Sequence, residues 1–207
     1  HEFEERGIKV TIIPNIINIK NYPFKIRKKM KPRLLWVRSF HRQYNPNMAA
    51  DVLKELIKTH SEARLCMVGP DKDGSMEDFK DYVNELQMAD QVKVTGLLRK
   101  EEWIKLAEEY DFFINTTNVD NTPISVIEAL GLGLTVISTN PGGIPYLLTS
   151  GQNSILVDCG DYKNMADQIS GLINDPQRNH QIAMNGRELA ESFDWSVIKE
   201  LWTALLK

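Results

Sequence analysis

The chain has 207 residues, enough for one domain with a sizeable core. Its 25 basic and 28 acidic side chains leave a net charge of −3, so no bulk charge argues for nucleic acid. No run of about 18 apolar residues occurs, which excludes a membrane-spanning helix, and no signal peptide is visible in a chain that opens, as a cut one would, on His1.

In chain order, strand-like runs fall near 8–13, 33–37, 64–68, 91–95, 111–115, 134–138 and 154–157. Helical patterns fall near 47–59, 76–88, 100–109, 123–132, 161–174, 178–192 and 195–206. Leu65-Cys66-Met67-Val68 and Phe112-Phe113-Ile114 are continuous in apolar residues, as strands covered on both faces are. The alternation predicts an α/β architecture: a Rossmann-like parallel sheet of right-handed βαβ units with helices on both faces. Ligands bind such sheets at the C-terminal ends of the strands. Arg38, Gly69-Pro70, Gly96, Asn115-Thr116 and Asn140 all follow strands and are expected to converge there. No Gly-x-Gly-x-x-Gly follows the first strand, so a dinucleotide dehydrogenase is not signalled.

Residues 14–33 lack periodicity and carry Lys25, Arg27, Lys28, Lys29, Lys31 and Arg33. The run reads as a solvated linker face; the alternative is a basic surface for ligand phosphates or for anionic lipid, a peripheral membrane contact. The loop after Val37 runs Arg38-Ser39-Phe40-His41-Arg42-Gln43-Tyr44-Asn45-Pro46, where Asn45 is a good helix cap and His41 a candidate ligand contact. Cys66 and Cys159 sit in or beside strand-like segments and read as buried free thiols of a reducing compartment. No Cys/His cluster has metal-ligand spacing.

The stretch from Asp120 to Ser138 carries most of the chemistry. Thr122 is a good cap and Pro123 suits the first helical position. Side chains on a helix lean toward its N-terminus, so Glu128 is expected to aim its carboxylate at the open end. That end carries free N–H groups and partial positive charge, which suits a phosphate. A carboxylate beside it can accept from two neighbouring hydroxyls. Glu128 is flanked by Val126, Ile127, Ala129 and Leu130, and a lone charge in an apolar run is rarely left unpaired. Phosphate plus polyol describes a nucleotide sugar. Gly131-Leu132-Gly133 stands at the helix end and reads as a stop signal.

These residues resemble the signature of glycosyltransferase family 4, retaining enzymes of the GT-B fold. The family pattern runs roughly Glu-Gly-Phe, then Glu-Ala-Met-Ala-x-Gly-x-Pro-Val-Ile, and soon Gly-Gly. Glu128-Ala129, Gly133, Val136-Ile137 and Gly142-Gly143 match it. Asp120 stands in place of the first Glu, Asn121-Thr122 in place of Gly-Phe, and Gly131 and Thr135 in place of an Ala and a Pro. Ile13-Pro14-Asn15 resembles the family's interdomain junction, and Leu34-Leu35-Trp36-Val37-Arg38 its first C-domain strand and phosphate loop. Val68-Gly69-Pro70, Val94-Thr95-Gly96 and Phe193-Asp194-Trp195 follow in the family's order.

The resemblance implies the C-terminal, nucleotide-sugar-binding half of a GT-B fold. Residues 1–13 would be a remnant of the preceding domain and hinge, and 14–207 the donor-binding domain with its C-terminal helix. Arg38 would hold the donor phosphates. The family's Lys-Gly is replaced near Tyr44-Asn45, and Arg42 is the candidate to supply the missing cation. Gly69 would meet the nucleotide, and Gly96-Leu97-Leu98 would read and cover its base. Pro123, Ile124 and Ser125 would line the helix start. Glu128 would hold the ribose hydroxyls, and Asp120, assigned as catalytic, would face the donor sugar. Gly142-Gly143 would allow close backbone approach to the cleft. The family is metal-independent, so neither cofactor nor metal is expected beside the nucleotide-diphosphate sugar substrate. A hexosyl group would pass to a glycan, lipid or other acceptor, in bacteria for cell-envelope polysaccharide. The partners implied are the donor, the acceptor and the chain's own missing N-terminal domain, with no nucleic acid. A monomer or weak dimer is expected, cytoplasmic or peripheral to the inner face of the membrane, and inactive as a half. The departures at Asp120 and Tyr44 leave open a non-catalytic nucleotide-sugar-binding module on the same scaffold. A third reading, an unrelated α/β nucleotide domain such as a sugar-nucleotide epimerase, lacks the Gly-rich fingerprint it needs.

Overall fold

A computed structural model describes residues 5–7, 10–11 and 13–207. The expected strand near 8–13 falls partly outside the described residues, and Val10, Thr11 and Ile13 form no strand. Most of the proposed remnant of a preceding domain lies in this same stretch.

Six strands form one sheet: β1 (Arg33–Val37), β2 (Arg64–Val68), β3 (Val92–Gly96), β4 (Phe112–Asn115), β5 (Thr135–Thr139) and β6 (Ile155–Val157). Their order is β3-β2-β1-β4-β5-β6, and every pairing is parallel. The expected Rossmann-like parallel sheet is therefore present. Among the described residues, the α-helices that pack on it or follow it are α1 (Pro46–Ile57), α2 (Ser75–Glu85), α3 (Lys100–Leu106), α4 (Ile124–Gly131), α5 (Ile144–Leu147), α6 (Tyr162–Asn174), α7 (Pro176–Ser192) and α8 (Trp195–Leu205). The single turn α5 has no counterpart in the sequence reading, because four residues with a proline second are too short to show a helical period.

The strands alternate between two cores, as a period of two requires. Leu34, Trp36, Leu65, Met67, Phe112 and Ile114 face one cluster, which α1, α2 and α6 cover with Leu53, Phe79 and Ile169. Leu35, Cys66, Phe113 and Val136 face the other, covered by Trp103 of α3, Ile127 of α4 and Ile144 of α5. Helix α1, which follows β1, thus lies on one face, and α4, which follows β4, on the opposite one. Both thiols are free; Cys66 is buried, and burial pushes its pKa up. Cys159 is exposed, against expectation, because it lies two residues beyond the end of β6.

Residues 14–33 are more than a solvated face. Lys25, Lys28, Lys29 and Lys31 are exposed, but Arg27 is largely withdrawn from water. Its guanidinium donates to the carbonyls of Lys25, Ala107, Tyr110, Leu132 and Gly133 at 2.6–3.2 Å. Burial pushes its pKa down to about 10, which leaves it charged at neutral pH. Phe24 packs on Gly133, where any Cβ would stand 2.7 Å from the ring. Farther up, Ile17 pairs with the start of α8 through Ile17 N to Phe193 O at 3.0 Å and Trp195 N to Ile17 O at 3.2 Å. On α8, Ile198 is buried while Trp195, Leu201, Trp202 and Leu205 remain exposed.

Arg27→Met is expected to cost about 2–4 kcal/mol, because buried carbonyls lose a charged donor. Lys28→Met should stay within about 0.5 kcal/mol, as for other exposed positions. Urea unfolding of both variants checks this, and equal midpoints would contradict it.

Candidate functional site

The ends of β1, β2 and β3 are tied together past the sheet itself. Arg38 N donates to Val68 O at 3.0 Å and Gly69 N to Gly96 O at 2.9 Å. Gly69 has φ +153°, and a Cβ there would run into the Arg38 carbonyl. Only glycine lets the two strand ends approach so closely. A cavity of about 250 Å³ opens above them, with Arg38, Gly69, Leu97, Leu98, Trp103 and Ser125 in its walls. Gly96 has φ +71° and turns the chain into this wall. The structure therefore brings Arg38, Gly69, Leu97 and Ser125 together, as the sequence anticipates.

The Arg38 guanidinium lies over the Tyr44 ring at 4.3 Å and forms an ion pair with Asp120. Its Nε is buried without a partner, and burial lowers its pKa. Asp120 is delivered by the loop after β4, and Gly142 and Gly143 hold that loop. Gly143 N donates to Asp120 O at 2.9 Å, while a Cβ on Gly142 or Gly143 would collide with the carbonyl of Asp120 or Asn121. The glycine pair makes room for this loop, and Gly143 also lines a hollow with Asn15, Asn121 and Thr122. Asn15 Nδ2 donates to Thr122 O at 3.3 Å, so the junction segment touches the same loop.

Helix α4 starts one residue later than expected. Pro123 is extended at ψ 115°, so it is the cap and Ile124 the first helical residue. Thr122 caps nothing, and no side chain satisfies the first-turn N–H groups. Ile124 is exposed, Pro123 is buried, and the Ser125 Oγ is buried with no hydrogen-bond partner while lining the cavity. An open helix start with an orphan hydroxyl beside a half-buried arginine is suited to an anion.

Glu128 lies one turn on from Ser125 and is 5 % exposed. Its Oε1 accepts from Tyr22 OH at 2.6 Å and from Lys100 Nζ at 2.5 Å. Burial and the Glu128 carboxylate raise the Tyr22 phenol pKa. The isolated charge in an apolar run is thus paired, as its setting demands, but by residues the sequence did not nominate. Tyr22 sits in the aperiodic linker and Lys100 in a helix start with no motif; only the need for a partner to Glu128 pointed to them. Trp103, one turn beyond Lys100 and also in the cavity wall, was missed because it reads as ordinary core.

Arg42 does not join this group. It is mostly exposed, stands 3.5 Å from Asp78, and lines a separate hollow with Asn45 and Ser75. The short turn Arg42–Tyr44 carries its side chain toward α2 instead of the Arg38 cavity. His41 is occupied locally, its Nδ1 accepting from Gln43 N at 3.1 Å. Asn115 is spent inside the scaffold, donating to Ser138 Oγ at 2.9 Å, and Asn140 at the surface donates to Asp158 Oδ1 at 3.2 Å. Among the described residues, no three His, Cys, Asp or Glu side chains gather as a metal cage.

Residues 18–189 match the family model described as Glycosyl transferases group 1. The sulfoquinovosyl transferase SQD2 of Arabidopsis thaliana is 26 % identical over 148 residues, covering 70 % of this chain and 28 % of that protein. A glycogen synthase of Mycobacterium tuberculosis is 22 % identical over 194 residues, covering 92 % and 46 %. The chain thus spans less than half the length of these curated relatives. Anabaena Alr3699/HepE, solved in complex with UDP, superposes with a TM-score of 0.86 at 19 % identity, covering 99 % of this chain and 60 % of that one. At that identity the likeness is one of fold.

Two alanine substitutions separate close approach from open space. Gly143 has φ −85°, which alanine accepts, so Gly143→Ala should destabilise by about 1–3 kcal/mol through collision alone. Gly171 lies within α6 with nothing within 4 Å of a new Cβ, so Gly171→Ala should stabilise by up to about 1 kcal/mol. Thermal unfolding reads both, and shifts of the same sign would contradict this account of the loop.

Proposed function

The chain belongs to the glycosyl transferases group 1 family, and on that premise we propose that it is the donor-binding half of a retaining glycosyltransferase. The enzyme would pass a hexosyl group from a nucleotide-diphosphate sugar to a glycan, lipid or other acceptor held by a second domain. One observation carries this reading: Arg38, the uncapped start of α4 and the orphan Ser125 hydroxyl face one cavity at the carboxyl edge of the sheet.

The donor diphosphate would sit on the Arg38 guanidinium and the first-turn N–H groups of α4. As the bond from the sugar to the diphosphate breaks, its electron pair remains on the phosphate oxygen. A fixed cation and a helix start stabilise that growing charge without reorganising, so no metal is required in this scheme. The base would lie against Leu97, Leu98 and Trp103. The free oxygen of Glu128 would take the ribose hydroxyls. Asp120 would meet the donor sugar once the diphosphate has claimed Arg38, because the two anions compete for one guanidinium. The bond from the sugar to the acceptor oxygen then forms as that oxygen's proton passes to the departing diphosphate, in a cleft that the second domain closes.

A nucleoside diphosphate should bind the intact protein without added metal, at micromolar to millimolar Kd, about −4 to −8 kcal/mol. Glu128→Gln should weaken that binding by roughly 1.5–3 kcal/mol, as for the loss of a charged acceptor. Asp120→Asn should leave the bare nucleotide bound at least as well, since Arg38 loses a competitor, yet lower turnover with the intact nucleotide sugar. Isothermal titration and initial rates measure both. If Asp120→Asn weakened the bare nucleotide as much as Glu128→Gln, the division of roles would be wrong.

A further inference from the structure

We infer that Tyr22 and Lys100 are positioning residues for Glu128: together they hold one carboxylate oxygen so that the other is presented to the ribose hydroxyls. The inference rests on the donor-site reading above and adds two residues to it. Both donors converge on Oε1, at 2.6 Å from Tyr22 and 2.5 Å from Lys100, and among the described residues none donates to Oε2. Two short bonds to one oxygen of an ionised carboxylate fix its rotation as well as its charge. A lone carboxylate this deep on an apolar helix would otherwise turn toward water.

Tyr22 is itself held against the helix that carries Glu128. Arg187 Nη1 donates to Tyr22 O at 2.8 Å and to Gly131 O, at the end of α4, at 2.6 Å. One guanidinium therefore clamps the tyrosine backbone to the helix. Gly131 permits the approach, since a Cβ there would already stand 3.3 Å from Tyr22 Cβ. The phenol has a single hydrogen, and it is directed at Glu128. Its raised pKa keeps it a donor across the working range.

Lys100 differs in kind. Its side chain is 51 % exposed, and its ammonium has hydrogens left for solvent or ligand. It stands one turn from Trp103 on α3, opposite Ser125 and Glu128 on α4. Tyr22 thus supplies direction, and Lys100 supplies charge.

The test is a cycle of protein and ligand changes on the intact protein. The probes are whichever of UDP, GDP and ADP the wild type binds tightest, and its 2′,3′-dideoxy analogue, by isothermal titration. The wild type should bind the dideoxy analogue roughly tenfold more weakly, the loss expected for hydrogen bonds to a charged group. Tyr22→Phe keeps the ring, so its melting temperature should stay near that of the wild type. It should weaken the natural nucleotide about fivefold and leave the analogue within about twofold, so that discrimination collapses. Lys100→Met, at a half-exposed site, should do the same, and Lys100→Arg should restore discrimination. An unchanged ratio between the two ligands in Tyr22→Phe and in Lys100→Met would overturn the positioning role while leaving the donor site intact. A wild type that binds none of the three nucleotides, or ignores the missing hydroxyls, would overturn the donor-site reading and this inference with it.

Discussion

β1 and β4 lie side by side in the sheet, yet the helices that follow them leave for opposite faces. Neither loop can then cover the other, and a crevice is forced open where the strand order reverses. Arg38 stands at the end of β1 and the Asp120 loop follows β4, one on each side of that reversal. The glycines at 69, 142 and 143 serve the same constraint. Each removes a side chain where backbone must pass close to backbone at the crevice rim.

Two carboxylates near the crevice are each paired within the protein. Burying an unpaired carboxylate costs several kcal/mol, and the fold meets that cost differently at the two places. Asp120 is matched to Arg38, the cation a diphosphate would also seek, so this pairing is exchangeable. Glu128 is matched through one oxygen to Tyr22 and Lys100, and its second oxygen stays open. One carboxylate is thereby held by a single cation, the other by two donors on one oxygen.

The parallel sheet was legible in the sequence because Leu65–Val68 and Phe112–Ile114 are apolar on both faces, a pattern few other structures need. Arg38 and Gly69 were legible from position, since each follows a strand, and Ser125 from the family resemblance, which placed it at the start of a helix. Other features had no local signature. Arg27 and Arg187 look like surface charges until the carbonyls they serve, more than fifty residues away in sequence, are brought beside them. Tyr22 sits in a stretch without period, and its role exists only through a contact with α4. Arg42 lies apart from Arg38 because the short helical turn, which has no signature in the sequence, carries it toward Asp78. Thr122-Pro123 misled by one residue, because an extended proline caps the helix in the threonine's stead.

Backbone chemical-shift mapping of the intact protein during titration with UDP tests the central claim most directly. Occupation of the crevice should move the amides of Arg38, Gly69, Gly96, Leu97, Ser125 and Glu128 together, with one saturation curve and without added metal. Shifts confined to the opposite edge of the sheet, around Arg33, Arg64 and Asp111, would contradict the placement of the donor site.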